Sequence, residues 1–257
     1  MTFLYEISGK IDIIKHQIWR EEMKEQRYIY KEKAKKLMEG KYGIVIPILL
    51  IFAVVQGVIS SLGARFQPKY EIDWETFERV LVREGNQPMS LIFSVIAFVV
   101  GAIILYSATK MFIQTSNDEK PVIEQIVVAG IKEQPLRTLA LQFLIGLYVF
   151  LWSLLFVIPG IIKAYAYSMS FYLIQRKPDL NATEAIDMSK KITTGYKSDL
   201  FVLDLSYFGW YFLGLFTFGI LWLWVAPKHR TAKTLYYNEI YEVNFPKVVI
   251  ESDEIEA

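Results

Sequence analysis

One carboxylate, Asp204, interrupts an otherwise uncharged run of 28 residues, LFVLDLSYFGWYFLGLFTFGILWLWVAP (Leu200–Pro227), and a basic cluster of Lys228, His229, Arg230 and Lys233 follows it. An ionisable group at bilayer depth costs roughly 2.5–3.5 kcal/mol on insertion scales, so such groups face a bundle interior or a cavity. If the run reverses near Thr217, Asp204 lies thirteen residues before the turn and Arg230 thirteen after it, at a common depth. The same counting sets Asp199 level with Lys233–Leu235, so the acids of one helix face the bases of the next. Pairing offsets the burial of each charge. With Ser206, Tyr207 and His229 between them, these residues form either a salt-bridge clamp between two helices or a substrate or proton site, and snorkelling of the charges to water is the third possibility.

Little other chemistry is on offer. The chain has no cysteine, which removes disulfides, thiolate nucleophiles and cysteine metal sites. His16 and His229 are its two histidines, with no HExxH pattern, so no metal is expected. Walker-type, GxGxxG and GxSxG loops are absent, no cofactor is expected, and no nucleophile–base pair supports an enzyme. With 28 basic against 27 acidic residues, no global field recruits nucleic acid.

The elements that must position these residues are those of a membrane protein. Hydrophobic residues make up 53% of the chain, and the 21% that are charged crowd into a few segments. Charge-free runs at Gly43–Gly63, Gly85–Thr109 and Thr138–Ile158 are each long enough to span a bilayer. The stretch from Thr138 to Gln175 carries only Lys163 and is too long for one crossing, so it is expected to turn at Pro159-Gly160 and return as a short span from Ile161, or as a re-entrant segment. Leu200–Pro227 reads as one tilted helix or as a hairpin turning near Gly214–Gly219, and the hairpin agrees better with the charges. Under it, residues 1–42, 110–137, 176–199 and 228–257 hold ten, four, five and four Lys or Arg, against four in the outer loop 64–84. That bias predicts both termini in the cytoplasm.

Between the spans, DWETFERVLVREG (Asp73–Gly85) has an N-cap aspartate, a closing glycine and Trp74, Phe77, Val80 and Leu81 at helical spacing, which predicts an amphipathic surface helix. PVIEQIVVAG (Pro121–Gly130) predicts another. YAYSMSFY aligns Tyr165, Ser168, Met169 and Tyr172 in one stripe, read as helix packing or as a ligand-lining face. PDLNATEAIDMSKKITTGYKSD (Pro178–Asp199) carries an Asn181-x-x-Glu184 capping box and a terminating Gly195, a third surface helix.

With IPGIIKAYAYSMSFYLI before it and the Leu200–Pro227 run after it, this last segment resembles the family catalogued as domain of unknown function 975, multi-spanning proteins of mainly Gram-positive bacteria. Its most specific elements are Glu184-Ala185-Ile186-x-x-Ser189, Gly195 and Ser206-x-x-Gly209-Trp210, and the likeness runs from about Tyr28 to Glu242. The EAIxxS element is also similar to the membrane-anchor region of some glycerophosphodiester phosphodiesterases, without their catalytic domain. Lys228 stands where the resemblance implies an aromatic. The family implies a membrane location and six spans, and no reaction.

The expected fold is therefore all-α: a polytopic membrane bundle of about six helices, two of them short, with amphipathic surface helices. Residues 1–42 form a cytoplasmic helical lead-in, 43–242 the membrane domain and 243–257 an acidic, disordered tail. The expected role is that of a non-enzymatic accessory, scaffold or immunity-like partner in the bacterial cytoplasmic membrane, contacting membrane lipids and another membrane protein. A small carrier or lipid-binding protein using the pocket among Asp199, Asp204, Ser206, Tyr207, Lys228, His229, Arg230 and Lys233 is the alternative.

Overall fold

The computed structural model describes residues 27–246. His16, most of the lead-in and the acidic tail lie outside the described residues. Ten helices and one β-hairpin follow in order: α1 (Arg27–Met38), α2 (Tyr42–Ala64), β1 (Lys69–Ile72), β2 (Arg79–Arg83), α3 (Gln87–Ser116), α4 (Ile123–Lys132), α5 (Pro135–Leu155), α6 (Val157–Ala166), α7 (Ser170–Arg176), α8 (Ala182–Ile192), α9 (Lys197–Phe216) and α10 (Trp222–Asn244). The architecture is an all-α bundle of the membrane type. Five segments are long and apolar enough to cross a membrane: α2, α3, α5, the joined pair α6–α7, and α9. The sixth expected span, α10, falls short of that composition because Lys228, His229, Arg230 and Lys233 lie inside it.

Burial separates these spans. In their most apolar 18-residue stretches α2, α3 and α5 each have only 11% of residues buried inside the fold, against 44% for α6–α7, so the short pair is the central element and the long three flank it. The largest core joins α1, α7, α8, α9 and α10 around Tyr30, Tyr172, Tyr196, Leu200 and Tyr236. Tyr30 and Tyr236 meet edge to face at 5.2 Å, a favoured arrangement of ring quadrupoles. Neither α1 nor α8 is a candidate span. Their apolar faces (Tyr30, Ala34; Ala185, Ile186, Ile192) are what water would otherwise touch, so the hydrophobic effect fastens them to the bundle.

Three expectations need correction. Asp73–Gly85 is not a helix: Lys69–Ile72 and Arg79–Arg83 pair as antiparallel strands, with Tyr70 opposite Leu81 and Ile72 opposite Arg79. Asp73 does cap, but its carboxylate accepts from the Glu75 amide (2.9 Å) within a tight turn, and Phe77 takes a left-handed φ of 55° that no helix continues. Val80 and Val82, β-branched and flanked by arginines, favour the strand.

The Thr138–Gln175 reversal comes at Phe156, three residues before the Pro-Gly pair, where the backbone is extended (φ −161°, ψ 149°). Pro159 then falls in the first turn of α6, where its missing N–H breaks no bond. Gly160 is buried against Ser153 of α5, with no room for a side chain. The returning span consequently runs from Val157 rather than Ile161. Over twenty residues it reaches about 30 Å, the thickness of a hydrocarbon core. It is broken at Tyr167–Met169, between α6 and α7.

The remaining surface helices form as the sequence implies. α8 opens with the complete capping box: the Asn181 side chain accepts from the Glu184 amide (2.9 Å) while the Glu184 carboxylate accepts from the Asn181 amide (2.8 Å). Gly195, at φ 91°, turns the chain after it. α4 starts at Ile123, two residues after Pro121, and lays Ile126, Ala129 and Gly130 on the bundle.

Candidate functional site

The Leu200–Pro227 run is a hairpin. α9 ends at Phe216, and the chain reverses through Thr217–Leu221 with left-handed Phe218 (φ 50°) and Gly219 (φ 82°). Two local contacts hold the reversal. The Trp222 indole N–H donates to the Tyr211 carbonyl (2.9 Å), and the ring lies directly over Gly214, where a Cβ would collide with it.

Asp204 is the hub of the charged cluster, but its partners differ from those that counting assigned. One oxygen accepts from His229 Nε2 at 2.8 Å; the other accepts from Lys233 Nζ at 2.7 Å and from the Tyr165 hydroxyl of α6 at 2.8 Å. Arg230 is exposed and makes no ion pair with Asp204. The reason is helical phase. His229 and Lys233 are four apart and share a face of α10, whereas Arg230 is rotated about 100° from His229. His229 Nδ1 is 3.0 Å from the Tyr211 hydroxyl, so the two ring nitrogens of the imidazole link Tyr211 to Asp204. Tyr207 stacks on the imidazole at 4.6 Å, and Lys233 also lies 5.4 Å from the Tyr165 ring centre.

The other expected site residues divide. Asp199 is buried at 4% exposure and pairs with no base among the described residues; it accepts from the Tyr236 hydroxyl at 3.4 Å. Ser206 does not join the cluster: its hydroxyl donates back to the Leu203 carbonyl (2.6 Å), and its own carbonyl lies 3.4 Å from Lys31 Nζ. Lys228 points away from Asp204, with its ammonium 5.9 Å from the Tyr42 ring at the start of α2. The single pocket expected from sequence is thus two sites back to back across Tyr207. On one side is the Asp204 network; on the other, a cleft of about 190 Å³ into which Tyr207, Lys228, Trp210 and Trp224 look, closed by Lys31 and Lys35 of α1.

Lys31 lies 5.1 Å over the Tyr207 ring, and burial lowers its pKa from the ordinary lysine value. Its neighbour Tyr30 donates to the Glu239 carboxylate, and burial first, then that acid, push its phenol well above the ordinary range.

Sequence reasoning missed two contributors to the network. Tyr211 falls one turn beyond Tyr207 on the same face of α9 and could have been found by that spacing. Tyr165 was singled out for its stripe in α6, but its pairing with Asp204 joins elements 39 residues apart.

The break between α6 and α7 also has an explanation that sequence did not give. Where the helix opens, the Ala166 carbonyl accepts from Ser189 Oγ (2.8 Å) and Thr193 Oγ1 (3.3 Å), and Ser189 Oγ accepts from the Met169 amide (3.2 Å). Backbone freed by a broken membrane helix must find partners inside the protein. A hydroxyl of α8 and that of its C-cap residue, Thr193, supply them, and Ser189 is the serine of the Glu184-Ala185-Ile186-x-x-Ser189 element.

That element lies inside the matched region. Residues 154–244 match the family model described as Protein of unknown function (DUF975). The DUF975 match starts at the end of α5 and closes with α10, so it takes in the broken α6–α7 span, α8, the α9–α10 hairpin and every residue of the Asp204 network. The resemblance expected from about Tyr28 onward is borne out over this narrower carboxy-terminal stretch, and α1–α4 lie outside it. No curated protein and no solved structure matches the chain. Among the described residues no group of three His, Asp or Glu side chains is placed to hold a metal ion.

Proposed function

We propose that this multi-pass membrane protein is a non-enzymatic accessory or scaffold subunit of the bacterial cytoplasmic membrane, with both termini cytoplasmic, and that it recruits another envelope component through the β1–β2 hairpin on the outer face. The observation that carries this reading is the hairpin itself. All nine strand residues are exposed, as are Trp74 and Phe77 in its turn, each at 77%. A lone two-stranded hairpin is marginally stable in water. Its unpaired edges and apolar side chains (Tyr70, Ile72, Val80, Leu81, Val82) suit a partner that adds a strand or caps the turn. The Asp204 network supports a non-enzymatic role from the other side of the bundle: Tyr165, His229 and Lys233 all donate to its carboxylate, and the cluster serves to lock α6, α9 and α10 together.

The test is a photo-crosslinking amino acid placed at Phe77 in living cells and, as a control, at Phe143, an exposed position of α5. A discrete protein adduct from position 77, absent from 143 and lost on Val80→Lys/Val82→Lys, supports the reading; lipid adducts alone at both positions refute it. Since the chain lacks cysteine, single cysteines at Glu75 and Lys190 report the orientation, and the proposal requires a membrane-impermeant thiol reagent on intact cells to reach the first and spare the second.

A further inference from the structure

We infer that the cleft on the far side of Tyr207 is a binding site for an anionic phospholipid. This goes beyond the partner reading and shares no residue with the hairpin. Its mouth is basic: Lys31 and Lys35 on α1 and Lys228 on α10 surround it, and among the described residues none of the three is ion-paired. Its wall is aromatic and apolar. Tyr207 is buried at its base, while Trp210 and Trp224 stand 54% and 44% exposed along it.

The cleft also sits at a boundary. One side is α1, a polar helix that is not a candidate span; the other is the α9–α10 hairpin, whose α9 is one. Lys228 reaches to Tyr42, the first residue of the α2 span. Three ammonium groups at the rim of a greasy slot, none of them ion-paired among the described residues, match a molecule with a phosphate at one end and hydrocarbon at the other. Tryptophans at the membrane interface and lysines just outside it are the side chains that hold such a molecule. The burial that lowers the Lys31 pKa agrees with a cation held partly out of water until an anion arrives.

The full-length protein in nanodiscs of equimolar phosphatidylglycerol and phosphatidylcholine tests this, with retained lipids counted by native mass spectrometry. Wild type is expected to keep phosphatidylglycerol preferentially. The variant Lys31→Gln/Lys35→Gln/Lys228→Gln is expected to lose that preference by about fivefold per lysine, the factor that corresponds to about 1 kcal/mol for each basic residue near an anionic surface. Lys→Arg at the same three positions should keep it, and so should the exposed α8 control Lys190→Gln/Lys191→Gln, which separates the cleft from general surface charge. Equal retention of both lipids by wild type overturns the assignment, as does an unchanged preference in the folded triple-Gln variant. So does a preference that emerges only when Glu251, Asp253, Glu254 and Glu256 are neutralised, because that would give the basic mouth to the chain's own acidic tail.

Discussion

Two helical hairpins of the molecule, α2–α3 and α9–α10, are built on opposite plans. In α2–α3 the helices meet through small and aromatic groups. Gly63 lets Phe93 approach so closely that a Cβ there would lie 3.0 Å from the phenylalanine Cβ; Phe66 stacks on Phe93 at 5.3 Å; and one amide, Gln56 Nε2, donates to the Ala97 carbonyl at 3.3 Å. In α9–α10 the contact is ionic, with Asp204 fixed by His229 and Lys233 and an indole folded over Gly214. Lipid tails are as apolar as leucine, so the first pair has no hydrophobic drive and depends on close packing. The second has a specific lock, at the expense of carrying charge into an apolar hairpin. The first should therefore be tolerant and the second brittle.

The largest effect expected is at the lock. Asp204→Ala leaves His229 and Lys233 without their acceptor. Breaking a buried ion pair from one side commonly costs about 3–5 kcal/mol, and the 22% exposure of the Asp204 side chain places this case at about 3 kcal/mol. Thermal unfolding in detergent measures it. Asp204→Asn, whose single amide oxygen keeps an acceptor for either His229 or Tyr165 but not for both, should lose less, and Arg230→Gln, at the position that sequence counting paired with Asp204, should lose almost nothing. An Arg230→Gln loss as large as that of Asp204→Ala would mean that the register described above is wrong.

Next in size is the tip of the same hairpin. A methyl group at Gly214 must displace the Trp222 indole and with it the bond to the Tyr211 carbonyl. Overpacking of this kind costs about 1–3 kcal/mol. Gly57, on α2, has nothing within 4 Å of where a Cβ would stand, so Gly57→Ala should leave the melting temperature unchanged. The pair of alanines compares the two hairpins with the same chemical change.

Much of this was legible in the sequence, because charge and hydropathy act locally. The five span-length segments, the capped α8 helix and the reversal around Thr217 all follow from runs of apolar residues and a few turn-formers. Depth was legible too, since counting outward from Thr217 put Asp204 near the correct turn of α10. Phase was not: a one-residue error in register rotates the partner face by about 100°, enough to choose Arg230 over His229 and Lys233. Asp73–Gly85 failed for a related reason. Trp74, Phe77, Val80 and Leu81 fit a helical stripe, but over so short a segment the alternation of Tyr70 with Ile72 and the β-branched Val80 and Val82 describe a strand pair equally well. The role of Ser189 was out of reach, because nothing local says that α6 will break at Tyr167, 22 residues earlier, and leave the Ala166 carbonyl to be satisfied.

The smallest effect expected returns to the tolerant hairpin. Gln56→Leu removes the one side-chain amide that bridges α2 to the α3 backbone, and interhelical hydrogen bonds in membrane proteins average only about 0.6 kcal/mol. The Ala97 carbonyl that accepts from it is a helical one, and the second lone pair of such a carbonyl can remain unused at little cost. The Gln56 Oε1 is itself buried without a hydrogen-bond partner, so replacing the amide by leucine also removes an unsatisfied atom. The two terms oppose each other, and the net change in unfolding free energy should stay within about 0.5 kcal/mol. A loss comparable to that of Asp204→Ala would show that α2–α3 depends on a polar lock as much as α9–α10 does, and the contrast between the two hairpins would be gone.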